Sequence, residues 1–336
     1  MSNLAAAANA ATILVADDNE INRELLTDIL IGEGHKVIAV EDGDQALREI
    51  EKRTVDLALL DVMMPGKTGF EVCQSIKSEP ETRFIPVVLV TGLISVDERI
   101  RGIRSGADDF LSKPVNSQEL LARTRSLLRL KMYTDELENA ETVLFSLALS
   151  IEAKDPYTKG HCDRLSAYSE AMGRHLGLPQ EQCVALRRAG VVHDIGKIGV
   201  PEHILLKETS LSDAEWLVMK EHPVTGERIC SPLKSFRLVL PIIRHHHEKL
   251  DGSGYPDGLK GDRIPLTARI LQINDVYDAM VTNRPYHKAM SHEEAIRTMR
   301  DEARRGWWDV SLIEEFGKFL GYQMPVVEKI KAAPVF

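Results

Sequence analysis

The sequence predicts a multidomain protein, in which an α/β doubly wound domain with a five-stranded parallel sheet is followed by an all-α helical bundle. Short apolar runs alternate with amphipathic stretches from Ala11 to Asn116, which is typical of βα units on a parallel sheet. After Glu141 the strand signals vanish, and apolar residues recur at helical spacing instead. The length of 336 residues is enough for two domains with separate cores.

The composition is that of a globular protein, with 43% hydrophobic and 28% charged residues. A net charge of −9 argues against a broad electrostatic grip on nucleic acid, and we expect no direct DNA binding. No apolar run approaches the roughly 18 residues of a membrane span. The N-terminus lacks the basic flank of a signal peptide, so we expect a cytoplasmic protein. The four cysteines are scattered, which favours buried thiols over disulfides.

Five apolar runs in the first half are predicted to be strands. They are Ile13 to Ala16, Val37 to Val40, Leu57 to Leu60, Val87 to Val90, and Asp109 to Leu111. In open α/β sheets, functional residues lie at the carboxyl ends of the strands. Polar side chains follow four of these runs: Asp17 and Asp18, Asp61, Thr91, and Lys113. Helix capping or a turn could explain single members, but the ordered set favours a site.

Three carboxylates in one crevice repel each other unless a hard divalent cation such as Mg²⁺ holds them. That ion would also offset the charge on an incoming phosphoryl group. We therefore predict Asp61 as the nucleophile, with Lys113 and Thr91 contacting the phosphoryl oxygens.

This pattern resembles the receiver domains of response regulators, including DVMMPGKTG after Asp61 and FLSKP at the fifth strand. The resemblance places the receiver at residues 11–128. It implies that a cognate sensor histidine kinase phosphorylates Asp61. Thr91 and Phe110 would relay the structural change that phosphorylation causes. For Phe110, plain core packing is an equal alternative.

The stretch from Ser117 to about Lys154 contains no Pro or Gly and predicts one long helix, with a connecting segment at residues 117–150. Its apolar residues form a heptad seam of Leu130, Tyr133, Leu137, Ala140, Leu144, Leu147 and Ile151. This seam predicts a coiled coil and hence a homodimer. The alternative is that the same stripe, from Leu144 onward, packs against its own C-terminal domain.

The most informative stretch of the chain is HHHEKLDGSGYP at residues 245–256, where adjacent imidazoles precede a glycine-rich turn. Further metal-ligating residue types lie on separate segments: His161, His193, Asp194, His222 and Asp275. Imidazoles and carboxylates that converge from separate segments can form a nitrogen and oxygen shell for a transition metal.

HDIGK followed by HHEKLDGSGYP resembles the HD-GYP family of bacterial phosphodiesterases, which linearise cyclic di-GMP. The resemblance covers residues 141–336 and implies an HD-type helical bundle with two divalent transition metals, iron or manganese. It implies one metal on His161, His193, Asp194 and Asp275. It implies a second metal on Asp194, His222, His246 and His247. Asp194 would bridge the two, because a carboxylate has two oxygens to share.

The same resemblance implies roles in catalysis and substrate binding. Asp194 and Lys197 would be catalytic, and Lys197 would also contact a substrate phosphate. The signature loop would bind substrate through Gly254, Tyr255 and Pro256. Arg284 matches the family's phosphate-binding arginine, but His287 stands where many relatives have a basic residue, and Lys288 follows it.

Tyr157 stands where some relatives have a glutamate for a third metal, so we expect a two-metal centre. By resemblance, such centres tend to stop at pGpG, with full cleavage to GMP left open.

Three functions remain open at this point. The first is a phosphorylation-controlled hydrolase of cyclic di-GMP. The second is a cyclic di-GMP sensor or adaptor that docks a GGDEF diguanylate cyclase. The third is a hydrolase of another cyclic dinucleotide.

Overall fold

The computed structural model describes residues 10–92, 96–154, 160–207, 209–283 and 288–323. The chain divides into two compact units, Met1–Asn139 and Ala140–Phe336. Within the described part of the chain, none of the helices combines the length and apolarity that crossing a bilayer requires. The four cysteines are all buried and unpaired.

The N-terminal unit contains one sheet of five parallel strands in the order β2-β1-β3-β4-β5, which confirms the predicted doubly wound architecture. The strands are β1 Thr12–Ala16, β2 Lys36–Val40, β3 Leu57–Asp61, β4 Val87–Thr91 and β5 Asp109–Ser112. Successive residues of a strand face opposite sides of the sheet. Ile13 and Val15 therefore enter one core, while Leu14 and Ala16 enter the other.

Five helices accompany this sheet, and several begin at a side-chain cap. They are α1 Glu20–Gly32, α2 Gly43–Lys52, α3 Gly69–Ser78, α4 Val96–Arg104 and α5 Ser117–Lys154. The side chains of Asn19, Asp42 and Thr68 accept hydrogen bonds from the first turns of α1, α2 and α3. The cap of α1 is thus Asn19, and neither Asp17 nor Asp18 is needed for it.

Helix α5 is continuous over 38 residues, and the two halves of its apolar seam differ. Leu130, Tyr133 and Leu137 are 60%, 57% and 42% exposed. Leu144 and Ile151 instead pack against the core of the C-terminal unit. Leu144 and Ile151 therefore follow the alternative interpretation, whereas Leu147 is 41% exposed and leaves apolar surface on the helix, as the first half of the seam does.

The described part of the C-terminal unit beyond α5 contains only helices, which confirms the predicted all-α bundle. They are α6 His161–His175, α7 Gln180–Val192, α8 Glu202–Leu205, α9 Asp213–Met219, α10 His222–Cys230, α11 Leu240–His245, α12 Leu266–Val281, α13 His292–Ala303 and α14 Val310–Gln323. Large buried side chains such as Phe236, Tyr277 and Phe316 fill its core. Helices α8, α10 and α11 have four to nine residues, too few for apolar periodicity to reveal them.

Candidate functional site

The carboxyl ends of β1, β3 and β5 bring Asp17, Asp61 and Lys113 together. Lys113 Nζ lies 2.8 Å from Asp17 Oδ2 and 2.8 Å from Asp61 Oδ2. Asp18 is exposed beside them, and one oxygen from each of the three aspartates lies within 4.8 Å of the others. Thr91 ends the neighbouring strand β4, and its carbonyl accepts a hydrogen bond of 2.8 Å from the Lys113 backbone N–H.

The charges in this crevice are only partly balanced. Burial raises the pKa of Asp61, although its hydrogen bond to Lys113 works against this rise. Burial lowers the pKa of Lys113, but Asp17 and Asp61 together raise it above its usual value. A single ammonium thus faces two buried carboxylates with Asp18 nearby. This oxygen-rich group could hold a hard divalent cation.

In the C-terminal unit, His193 and Asp194 follow the last residue of α7 and precede a 3₁₀ turn at Ile195–Gly199. This turn packs directly on the start of α10. A Cβ at Gly196 would lie 1.8 Å from the carbonyl oxygen of His222, a distance that no side chain tolerates. Glycine at position 196 therefore brings the His193–Asp194 pair close to His222.

Three histidines of the unit have their rings oriented in the same way. The Nδ1 atoms of His193, His222 and His246 lie 3.3, 2.8 and 2.7 Å from the carbonyl oxygens of Gly190, Met219 and Ile243. Each acceptor is the carbonyl three residues earlier in the chain. Because a carbonyl only accepts, each Nδ1 carries a proton, and the other ring nitrogen, Nε2, faces outward as the atom that can bind a metal.

The Nε2 atoms of His222 and His246 converge. His222 Nε2 lies 3.4 Å from His246 Nε2, and Asp194 Oδ1 lies 3.2 Å from the first and 3.9 Å from the second. Two imidazole lone pairs and a carboxylate oxygen repel each other unless a cation lies among them. His247 completes this group, which we call the second ligand group: Asp194, His222, His246 and His247, with one ligand atom from each within 4.8 Å of the others.

A neighbouring set forms the first ligand group: His161, His193 and Asp275. His161 Nε2 lies 3.3 Å from Asp275 Oδ1, and Asp275 lies on a separate helix, α12. His193 Nε2 lies 3.3 Å from Asp194 Oδ2. Asp194 therefore directs one oxygen toward each group, and its mixed nitrogen and oxygen neighbours suit a transition metal on both sides.

The protonation equilibria of these groups reflect the same convergence. Burial would raise the pKa of Asp194, but Lys197 and the neighbouring imidazoles hold it well below its usual value. Burial and the surrounding imidazoles hold the pKa values of His246 and His247 well below the usual value. Burial acts in the same direction on His193, but Asp194 raises its pKa overall. Asp194 is thus ionised and His246 and His247 are neutral, the forms that bind metals.

Two residues that the sequence analysis missed orient His161. Asp278 is buried, and its Oδ2 lies 2.7 Å from His161 Nδ1. Arg164 donates to both oxygens of the same carboxylate, at 2.6 and 2.9 Å. A carboxylate behind a ligating histidine fixes its tautomer and its direction. The signal in the sequence is the spacing of Asp275 and Asp278, one helical turn apart on α12.

The signature loop is held against the histidines by buried contacts. The Tyr255 ring stacks on His247, with ring centroids 4.8 Å apart. A Cβ at Gly254 would lie 2.3 Å from the backbone nitrogen of Lys249, so only glycine allows this approach. The buried carboxylate of Glu248, also missed in the sequence analysis, accepts hydrogen bonds of 2.7 and 3.0 Å from the backbone of Asp257 and Leu259. Tyr255 and Pro256 are joined by a cis peptide bond.

A cavity of about 560 Å³ opens beside these residues. Its wall includes His246, His247, Gly254, Tyr255 and Asp275. The sequence analysis missed the rest of the wall, in particular Trp216, Lys220, Lys249 and Trp308. Aromatic faces and ammonium groups thus stand next to the ligand groups, and the volume is typical of a pocket for a small organic ligand.

The remaining predicted substrate residues lie in different places. Lys197 Nζ lies 2.5 Å from Asp194 Oδ2, so it belongs to the centre itself. Lys288 is exposed, and the described lining of the cavity does not include it. Arg284, His287 and Tyr157 lie outside the described residues.

Comparison with known proteins identifies both units. Residues 13–125 match the response regulator receiver domain, and residues 146–312 match the HD domain. The cyclic di-GMP phosphodiesterase response regulator RpfG of Xanthomonas campestris is 35% identical over 309 residues, which cover 84% of this chain and 81% of that protein. The chain belongs to the family of HD-domain response regulators. A cyclic di-GMP phosphodiesterase of Thermotoga maritima is 34% identical over 314 residues, covering 85% of this chain and 84% of that protein.

A further relative matches about half of this chain. A 3′3′-cGAMP-specific phosphodiesterase of Vibrio cholerae is 38% identical over 161 residues, which cover 48% of this chain and 35% of that protein. HD domains form a metal-dependent family, and the two ligand groups are sites in this domain that could bind metal. Its receiver domain implies interaction with a kinase.

Proposed function

We propose that this HD-domain response regulator hydrolyses cyclic di-GMP at a dinuclear metal centre, and that phosphorylation of Asp61 controls this activity. The observation that carries the proposal is the position of Asp194. Its Oδ2 lies 3.3 Å from His193 Nε2 and its Oδ1 lies 3.2 Å from His222 Nε2, so the carboxylate faces both ligand groups. A carboxylate in that position is suited to bridge two cations.

The residues that would hold the two cations follow from the ligand groups. His161, His193 and Asp275 would bind one together with Asp194. His222, His246 and His247 would bind the other together with Asp194. Both iron and manganese suit such mixed ligands. When bound, the two cations would activate a water and neutralise charge on a phosphodiester.

The chain's own residues would bind and orient the substrate. The whole chain has a net charge of −9, yet ammonium groups of Lys197, Lys220 and Lys249 stand at the ligand groups or in the cavity wall. They would attract the phosphates of a dinucleotide. Trp216 and Tyr255 offer aromatic faces on which nucleobases stack, typically worth about 1–3 kcal/mol per base. Pro256 would fix the turn that holds Tyr255.

The family resemblance assigns a phosphate contact to Arg284, and we retain it as a proposal. We also propose that Lys288, which follows His287, binds substrate. Because Tyr157 is not a metal-ligating glutamate, we propose a two-metal centre with pGpG as its main product. GMP would be the product of a second cleavage.

In the receiver, Asp61 would accept the phosphoryl group from a sensor histidine kinase. Asp17 and Asp18 would hold Mg²⁺ together with Asp61, and that ion would supply charge neutralisation to the incoming group. Lys113, already 2.8 Å from Asp61 Oδ2, would bind one phosphoryl oxygen, and Thr91 would bind another.

We further propose that the first half of α5 pairs two copies of the chain in a coiled coil. The exposed apolar side chains of Leu130, Tyr133 and Leu137 support this, since they recur at heptad spacing. The double variant L130E/L137E should sediment as a monomer. V143E changes an exposed residue outside the seam and should sediment as the wild type does. A monomeric wild type would contradict the proposal.

Hydrolysis tests the central proposal. The protein is purified anaerobically with iron or manganese and incubated with cyclic di-GMP, and products are separated by chromatography. We expect pGpG from the wild type and no product from Asp194→Ala. Bound nucleotide without turnover would instead make the chain a cyclic di-GMP sensor or adaptor, which could dock a GGDEF diguanylate cyclase.

A second candidate substrate is supported by one observation. The chain is 38% identical over 161 residues, 48% of its length, to a phosphodiesterase named as specific for 3′3′-cGAMP. The same assay should therefore include 3′3′-cGAMP at equal concentration. If the protein hydrolyses this mixed dinucleotide faster, 3′3′-cGAMP would replace cyclic di-GMP as the proposed substrate.

A further inference from the structure

The start of helix α6 is capped by a side chain from another helix. Glu152 lies in the last turn of α5, and its Oε1 accepts hydrogen bonds of 2.7 Å from the His161 backbone N–H and 3.3 Å from that of Cys162. The first N–H groups of a helix have no partner inside the helix. Gly160, which precedes α6, has φ of 71° and no side chain to supply a cap. Glu152 therefore provides the cap that the local sequence lacks.

The capped residue is also a member of the first ligand group. The His161 side chain reaches Asp275 at 3.3 Å and is oriented by Asp278 at 2.7 Å. Metal–ligand distances are reproducible to within about 0.2 Å, so a small displacement of this backbone changes the geometry of the group. The hydrogen bond from His161 to Glu152 thus fixes the backbone from which a ligand side chain projects.

The end of α5 is itself firmly packed in the C-terminal unit. Phe145 and Ala148 are buried in its core, and Glu141 forms an ion pair of 2.9 Å with Arg188. A small cavity of about 30 Å³ lies between this end of α5 and the first ligand group, with Glu152, His161 and His193 in its wall. The last turns of α5 and the ligand side chains are therefore close neighbours.

We propose that Glu152 is a positioning residue for the metal centre and ties the placement of His161 to the connecting helix α5. This helix begins at Ser117, in the unit that contains Asp61, and continues unbroken to Lys154. A rotation or shift of α5 reaches the first ligand group through the Glu152 carboxylate. The inference rests on the proposed metal centre and names the contact through which phosphorylation regulates it.

The test compares metal binding in three variants. Metal-free full-length protein is titrated with Mn²⁺, and bound metal is counted by elemental analysis at each free concentration. E152A should weaken one of the two sites by about 10–100-fold, the typical cost of losing a residue that orients a ligand. E152Q should bind as the wild type does, because the amide oxygen accepts the same hydrogen bonds. E141A removes another α5 contact in the same unit and should leave both affinities unchanged.

Hydrogen exchange gives a second readout that needs no metal. The amides of His161 and Cys162 should exchange faster in E152A than in the wild type, and E141A should leave them unchanged. Wild-type metal affinity in E152A would overturn the proposal, as would an equal weakening in E141A. Neither measurement uses substrate, so failure of the wild type to hydrolyse cyclic di-GMP would contradict the proposed function alone.

Beryllofluoride, which mimics a phosphoryl group on aspartate, tests the regulatory part. Its addition should change the Mn²⁺ affinity of the first site in the wild type and in E141A but not in E152A. An unchanged affinity in the wild type, or the full change in E152A, would overturn this part.

Discussion

Asp194 faces both ligand groups of the HD domain, but the ligands of the two groups are supported in different ways. In the second group, His222 and His246 are each oriented by the carbonyl three residues earlier. In the first group, two side chains support His161. Asp278, 117 positions away, contacts its ring, and Glu152, nine positions away, accepts a hydrogen bond from its backbone. His193, in the first group, is oriented by the Gly190 carbonyl in the same local way, so His161 is the ligand whose orientation depends on supporting side chains.

This difference predicts that the two groups lose metal affinity unequally when residues around them are substituted. Backbone carbonyls cannot be removed by substitution, so the second group should withstand changes outside its own ligands. The first group should weaken whenever a supporting side chain is lost, even when every ligand remains. Because it depends on supporting side chains, the first group is the suitable target for regulation through α5.

The largest effect is expected from Asp194→Ala, which removes the carboxylate that faces both groups. Loss of a supporting residue typically costs about 10–100-fold in metal affinity or activity, and loss of a shared ligand should exceed the upper end of that range. We expect both metals to be lost, with turnover below detection, measured by elemental analysis and product chromatography. Asp301→Ala, at an exposed residue of α13 outside both ligand groups and the cavity wall, serves as the control. Activity above a few per cent in Asp194→Ala would refute the bridging role.

Asp278→Asn should affect one group only. The amide keeps the volume of the carboxylate but loses the charge that orients His161 and pairs with Arg164. We expect about 10–100-fold weaker metal binding at the first group and unchanged binding at the second. Equal weakening of both sites in a manganese titration would show that Asp278 does not support the first group alone.

Gly196→Ala tests the contact that brings the His193–Asp194 turn to α10. The added methyl would lie 1.8 Å from the carbonyl oxygen of His222, and backbone must move to make room. We expect a loss of about 1–3 kcal/mol in the free energy of unfolding, measured with urea. Gly199→Ala is the matched control, since its methyl would meet only Thr225 Cγ2 at 3.4 Å. Similar losses of unfolding free energy in the two variants would mean that the close approach of residue 196 to the His222 carbonyl does not cause the destabilisation.

The smallest effect on the metal centre is expected from Asp61→Asn. This change should abolish labelling by a small phosphodonor such as acetyl phosphate, because the nucleophile is gone. Metal content of the HD domain should stay at the wild-type value, since no described residue of either ligand group belongs to the receiver unit. Continued labelling would mean that another residue accepts the phosphoryl group.

The sequence by itself determined the architecture and most of the candidate site. Apolar alternation predicted the five strands and their parallel sheet, because a buried strand needs little more than its own apolar residues. The aspartates and Lys113 were predictable because residues that follow parallel strands meet at one edge of the sheet. Adjacent histidines and their glycine-rich turn marked the second group, because that part of the centre is local.

Only the tertiary structure decided how the first group is supported. The contact between His161 and Asp278 joins residues 117 positions apart, and it exists because α6 packs against α12. The cap from Glu152 and the packing of Leu144 and Ile151 against the C-terminal core likewise depend on which surfaces meet. Periodicity and capping signals extend over a few residues, whereas these contacts are set by the packing of distant helices.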